Sequence, residues 1–343
     1  MRLIPLGLSI ALLALPLNAA PQKAGAKKAP TAKVAPKTAP TKAASAPKPA
    51  TPALTRAAVD PAIAKAIADP RRKPAYVARD KYRHPGQTLT FFGLKPEMTV
   101  VELDPGGGWY SEILAPFLAN QGHYIAALEP GEGAQAFHTL VEADPDRFGK
   151  AVLTSFVPGQ PSEIAPAGTA DMVLAFRLIH NLLGSPEQPG DGNAPQAFAD
   201  WYRALKPGGI LGIEQHRLPE AMDSALEKTS GYVKRSTVIR LALAAGFQLA
   251  GASEVNRNAR DTHDWPKGVW TLPPTYRLGD TDKAKYAATG ESDRMTLKFV
   301  KPDPNAPIAT PDAPEPAAPP EPAAPQSSAP DASAPAGDAP PPR

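Results

Sequence analysis

Residues 100–110 read Val-Val-Glu-Leu-Asp-Pro-Gly-Gly-Gly-Trp-Tyr, an apolar run that meets two carboxylates and turns through glycines toward a helical stretch. Glycine has no Cβ, so the backbone there can take positive φ and let a ligand come close. The N–H groups that open the next helix then face whatever lies beyond the strand end. A carboxylate at that point accepts hydrogen bonds from a ligand amine or hydroxyl. Together these features describe a nucleotide-type pocket whose candidate lining is Glu102, Asp104, Gly106, Gly107, Gly108 and Tyr110. A second apolar run, 124–128, stops at Glu129 and offers another strand-end carboxylate. Glu102 has an alternative reading as a sheet-edge acid paired with Lys95, and Trp109 reads as core.

Further polar groups follow later apolar runs. His180-Asn181 comes after 170–176, where it either faces a substrate or serves the structure. Glu214-Gln215-His216-Arg217 closes 210–214. There His216 suits a base, and Arg217 suits either an anionic substrate group or a salt bridge to a nearby acid. Arg83-His84 precedes the core, where it either folds over the pocket or simply packs. Asn258, Asp261, His263 and Asp264 are spaced too loosely for a metal centre and lack a thiolate, so no metal is expected.

The elements that must position these groups alternate. Short helices are expected at 60–69 and 87–92. Strands are expected at 99–103, 124–128, 151–157, 170–176, 210–214, 247–255 and 294–300, with helices at 109–119, 137–148, 195–205 and 236–245 between them. Pro116 should kink the first of those longer helices or limit its length. Strands alternating with helices imply a mostly parallel sheet covered on both faces, with ligands beyond the strand carboxyl ends.

Composition bounds the rest. The chain has 343 residues, 44 of them proline, and no cysteine. The missing thiols exclude disulfides, cysteine nucleophiles, thiolate zinc and a lipidated cysteine anchor. Residues 1–19 read as a signal peptide cleaved near Ala19, with Arg2, an apolar stretch and then small residues; the alternative is an uncleaved anchor. Residues 20–59 are rich in Ala, Pro, Lys and Thr, with basic charge only, and residues 302–343 form an acidic Pro/Ala tail. Neither arm has the apolar content to offset backbone ordering. The net charge of +3 therefore conceals two opposite arms around one domain at 60–301. The basic arm either contacts an anionic envelope surface or serves as a solvated spacer. Nucleic-acid binding is not expected, because that arm lacks interleaved aromatics.

The succession resembles the class I S-adenosylmethionine-dependent methyltransferases over roughly 97–301. Residues 102–108 resemble their first motif, Glu129 the acid that ends their second strand, 171–176 their fourth-strand motif and 205–209 the turn before the fifth strand. Within the class the chain looks most like a branch of exported predicted methyltransferases. Those share Arg-His-Pro (83–85), Pro-Gly-Gly-Gly-Trp-Tyr (105–110) and a closing Asp-Arg-x-x-Leu-Lys-Phe-x-Lys-Pro (293–302).

The resemblance implies a Rossmann-like doubly wound, seven-stranded sheet with an antiparallel closing strand, and S-adenosylmethionine as cofactor. It implies that Glu102, Gly106–Gly108 and Glu129 hold that cofactor and that His180-Asn181 face the substrate; the residues themselves add Asp104 and Tyr110 to the cofactor slot, His84 and Arg217 to the substrate side, and His180 and His216 to the chemistry. The acceptor is expected to be a small or envelope-associated molecule. Two departures stand out. Asp104 occupies the first family glycine, and Thr154-Ser155-Phe156 replaces the acid after the third strand, leaving the Phe156 ring to cover adenine. An exported transferase would also lie apart from the cytoplasm, where its donor is made. The rival expectation is therefore an exported, non-catalytic small-molecule-binding module on the same scaffold.

Overall fold

The computed structural model describes residues 58–305. The signal-like segment 1–19, and the arms apart from residues 58–59 and 302–305, lie outside the described residues. Four short helices open the domain: α1 (Pro61–Ile67), α2 (Pro74–Val77), α3 (Asp80–Arg83) and α4 (Pro85–Phe92). Asp60 caps α1 by accepting from the N–H groups of Ala62 and Ile63, and Pro61 supplies the fixed φ that suits its first turn. The fold then alternates: β1 (Thr99–Leu103), α5 (Ser111–Leu118), β2 (His123–Leu128), α6 (Glu132–Ala143), α7 (Pro145–Phe148), β3 (Val152–Ser155) and β4 (Ala170–Phe176). It continues through α8 (Ile179–Leu182), α9 (Ala194–Ala204), β5 (Leu205–Leu218), β6 (Val233–Lys234), α10 (Arg235–Ala244), β7 (Gln248–Ser253), α11 (Lys283–Thr289) and β8 (Arg294–Val300).

One sheet of eight strands carries the domain. Its order is β3-β2-β1-β4-β5-β8-β7, with the two-residue β6 paired to β5. Strands β1 to β5 run parallel, and β8 is antiparallel to both β5 and β7. This is the expected doubly wound sheet with an antiparallel closing strand, plus one short extra strand. The strand order reverses between β1 and β4, which is where such sheets open a crevice.

Strands buried on both faces read as continuous apolar runs, which is why β1 and β4 are plain in the sequence. Alternate residues feed two cores. Val101, Leu103, Val173 and Ala175 pack against Phe198 and Trp201 of α9, and Val100, Met172 and Leu174 pack against Ile113 and Leu114 of α5 and Phe92 of α4. Phe156 belongs to the first of these cores. It is fully buried, with its ring 6.3 Å from that of Trp201, so it does not cover a ligand.

Some boundaries differ from expectation. The helix expected at 109–119 begins only at Ser111, since Gly108 sits at φ +81° and Trp109 and Tyr110 complete the turn. It runs two residues past Pro116 and then stops. The stretch 137–148 is split into α6 and α7, because Asp144 leaves the helix at φ −140° and caps the next one through the N–H of Arg147. The turn expected at 205–209 lies inside the long β5, whose start pairs with β4 through a register shift.

Candidate functional site

The glycine turn grows directly out of β1. Asp104 takes φ +41°, and its N–H donates to Ala127 O at 2.8 Å, so the turn stays tied to β2. The three glycines face different surroundings. A Cβ on Gly108 would stand 2.5 Å from Leu140 Cδ2, and one on Gly107 would stand 2.7 Å from the Tyr76 hydroxyl. That hydroxyl donates to Gly107 O at 2.7 Å. Gly106, at φ +55°, has nothing within 4 Å of its missing Cβ. The protein's own side chains therefore cover two glycines, and Gly106 alone opens to free space.

Above the turn lies a cavity of about 360 Å3 at the carboxyl ends of β1, β4 and β5. Asp104, Gly106 and Gly107 form one side, and Phe176, Arg177, His180 and His216 form the other. Tyr76, Arg79 and Arg83 close it from the N-terminal helices, while Trp270 and Glu291 close it from the C-terminal part.

Its electrostatics are dominated by guanidinium groups. Glu291 accepts from Arg79 Nε at 2.6 Å, Arg83 Nε at 3.1 Å and Arg294 Nη1 at 3.2 Å. Burial alone would raise its carboxyl, but Arg294, Arg83 and Arg79 hold it down at about 2. Arg294 Nη1 also lies 3.0 Å from Glu214 Oε1. Burial, with Arg177 nearby, draws Arg83 down to about 9, still cationic at neutral pH.

Both cavity histidines are neutral there. Burial pulls His180 down to about 4 and carries His216 well below its ordinary range, with His180 adding to the latter. The tautomer of His180 follows from its neighbour. Gln215 Oε1 accepts from the Ile179 N–H at 3.1 Å, so its Nε2 is the side that faces Gly231 O and His180 Nδ1, each at 3.2 Å. His180 Nδ1 is then the acceptor, and the ring carries its proton on Nε2. His180 offers the cavity a donor rather than a base. His216 Nδ1 pairs with the Ser292 hydroxyl, which can give or take the proton, so its Nε2 can act as a base.

The strand-end acids divide. Glu102 is buried on the α5 side of β1, where its Oε2 accepts from Ser111 and Tyr124 hydroxyls, each at 2.7 Å. Burial pushes it up to about 7 against the pull of those two donors. Both hydroxyls engage the same oxygen, so Oε1 has no partner among the described residues, and Asp104 rather than Glu102 lines the cavity. Neither Asp104 nor Glu129 has a side-chain hydrogen bond or ion pair among the described residues. Burial raises both carboxyls, and Asp104 adds to the rise of Glu129. Glu129 lies outside the cavity lining, toward β2.

Other sequence candidates are placed elsewhere. Tyr110 is buried behind the wall, stacked on Phe176 at 3.6 Å between ring centroids, and its hydroxyl donates to Glu214 Oε2 at 3.0 Å. Trp109 lines the cavity instead, under Arg83 at 4.7 Å from the ring centroid. His84 points away to Asn256 Oδ1 at 3.2 Å, and its neighbour Arg83 faces the cavity. Asn181 is exposed on α8, outside the lining. Arg217 is held by Asp293 and Glu254, the salt-bridge alternative for that residue. Asp261 accepts from Tyr232, Trp265, the His263 N–H and the Asp293 N–H, and so serves the structure. Sequence reading missed Tyr76, Arg79, Arg177, Trp270 and Glu291. Arg177 alone carried a signal, as a charged residue immediately after an apolar strand.

No protein-family model matches the chain, and no curated protein matches it. Among solved structures, the chain is similar to a SAM-dependent methyltransferase from Aquifex aeolicus, with 17% identity, 67% of this chain and 94% of that chain covered, and a TM-score of 0.45. It is also similar to an arsenic(III) S-adenosylmethionine methyltransferase from Chlamydomonas reinhardtii (14% identity, 72% and 76% covered, TM-score 0.42). A third similar structure is the [4+2]-cyclase SpnF (14%, 63% and 78%, TM-score 0.45). With TM-scores below 0.5, the fold rests on the strand order of the chain itself rather than on these likenesses.

Proposed function

We propose that this chain is an S-adenosylmethionine-dependent methyltransferase acting on a small or envelope-associated acceptor. The observation that supports it best is the pair of unpartnered carboxylates, Asp104 and Glu129, at the carboxyl ends of adjacent parallel strands beside the open face of Gly106. Such a pair suits a ligand with an amine and a diol. Asp104 would take the cofactor's amino group, Glu129 its ribose hydroxyls, and the main chain at Gly106 would pass against it. When bound, the cofactor supplies a methyl group on a sulfonium, open to in-line displacement.

The protein's share is alignment, water exclusion and proton handling. Phe176 and Trp270 wall the acceptor side. His180 donates from Nε2 to an acceptor heteroatom and fixes its direction. His216, neutral through burial, is placed to take a proton at Nε2, with Ser292 accepting from Nδ1, where the acceptor heteroatom carries one; an anionic oxygen attacks without that step.

The leader-like residues 1–19 further suggest an exported protein, and among the described residues no helix is long and apolar enough to cross a membrane. The basic arm 20–59 would then rest against an anionic envelope surface. A second reading, a non-catalytic binding module, gains support from Tyr76 and Leu140, which fill the space beside two of the three glycines. Native mass spectrometry of the protein isolated from producing cells separates the two. Bound S-adenosylmethionine or S-adenosylhomocysteine supports the transferase, whereas an unrelated bound molecule supports the module.

A further inference from the structure

We propose that the acceptor is an oxyanion, a carboxylate or phosphate, seated on the guanidinium of Arg177. The claim that this anion is the methyl acceptor rests on the transferase reading above; the anion site itself does not.

Arg177 follows β4 directly and lines the cavity. Among the described residues its side chain has no hydrogen bond and no ion pair, and its Nε is buried without a partner. The nearby carboxylates are already engaged. Glu291 accepts from Arg79, Arg83 and Arg294, and Glu214 accepts from Tyr110 and pairs with Arg294. Four guanidinium groups thus share two carboxylates. Arg79 Nη2 and Arg83 Nη1 and Nη2 are also buried without acceptors. Uncompensated charge and orphaned donors among buried and half-buried groups are costly, and an anion supplies what is missing on both counts. A guanidinium fork matches the two oxygens of a carboxylate or phosphate.

The backbone points the same way. Arg177 sits at φ +56°, a left-handed conformation that a bulky non-glycine residue rarely takes, and its N–H donates to Glu214 O at 2.6 Å. Strain of this kind persists where the surroundings hold a side chain for a task. The location selects the acceptor over the cofactor. Arg177 follows β4, with His180 just beyond it, across the strand-order reversal from Glu129, which follows β2.

Calorimetric titration of the full-length chain with benzoate, phenyl phosphate and benzamide tests this, since the ring is shared and only the charged group differs. Val269 and Trp270 in the lining accommodate the ring. We expect at least one of the two anions to bind well above benzamide, with the stronger identifying the oxyanion. Arg177→Gln should weaken that anion by about tenfold or more, and Arg177→Lys should fall between. The proposal is overturned by benzamide binding as tightly as both anions, or by anion affinity unchanged in Arg177→Gln. Competitive displacement by S-adenosylhomocysteine also overturns it, since Arg177 would then hold the cofactor's own carboxylate. If Arg177→Gln does not fold, the wild-type probe series and the competition still decide. Anion binding without any S-adenosylhomocysteine binding would sustain the site and refute the transferase reading.

Discussion

Asp104 stands two positions after Glu102, and that interval carries the chain from the buried α5 side of β1 to the open crevice. Of these two, Asp104 lines the cavity, while Glu102 accepts from Ser111 and Tyr124. Glu102 stays protonated in the fold up to about 7, while its ordinary value is 4.5. Between those values the folded state binds more protons than the unfolded chain, so this residue's contribution to stability is complete below 4.5 and is lost as pH rises through 7. Glu102→Gln cannot titrate. Relative to wild type, its urea midpoint should improve from pH 4.5 to above pH 7, by a stability difference of roughly 1–3 kcal/mol. A constant difference across that interval would mean that Glu102 is ionised in the fold.

The glycines give a second contrast at this scale. Gly106→Ala costs about 1 kcal/mol for its positive φ but places a methyl in the open space, so S-adenosylhomocysteine affinity should drop about tenfold. Gly108→Ala drives its methyl toward Leu140 and should lose roughly 1–3 kcal/mol of stability. Denaturant midpoints and ligand titrations of the two variants would separate structural glycine from ligand-facing glycine. The glycine cluster was plain in the sequence. Which glycine faces outward was not, because Tyr76 and Leu140 decide it from other elements.

At the scale of elements, the alternation of strands and helices was legible because strands buried on both faces must be apolar throughout. The convergence of α3, β4 and β8 on the cavity was not, because Arg83 and Glu291 meet across a sequence separation of 208 residues. Local spacing carries no trace of that meeting. The same distance explains why Arg217 was an open choice: its partner Asp293 lies 76 residues away. Glu291 joins the opening helices to the start of β8 through three buried or half-buried arginines. Glu291→Gln leaves those charges uncompensated and should cost about 3–5 kcal/mol in denaturant unfolding. Asp191→Asn breaks the more exposed pair with Arg240 and should stay within about 1 kcal/mol of wild type. Equal effects from the two variants would contradict the clamp.

For the whole molecule, sequence composition separates a foldable middle from two arms of opposite charge, and the sheet and cavity lie entirely within that middle. If the basic arm tethers the protein to an anionic surface, deletion of residues 20–59 should move it from the envelope-bound fraction to the soluble one, and added salt should do the same to the full chain. Unchanged fractionation would refute tethering. If the protein is exported, a donor made in the cytoplasm must reach the crevice from there. Cofactor occupancy therefore bears on compartment and activity together.

The most direct measurement is a calorimetric titration of the full-length chain with S-adenosylhomocysteine, beside Glu129→Gln. Saturable binding to the wild type, weakened about tenfold in the variant, is the predicted result. Absence of heat and of any thermal shift at about millimolar ligand, with S-adenosylmethionine equally silent, would contradict the assignment.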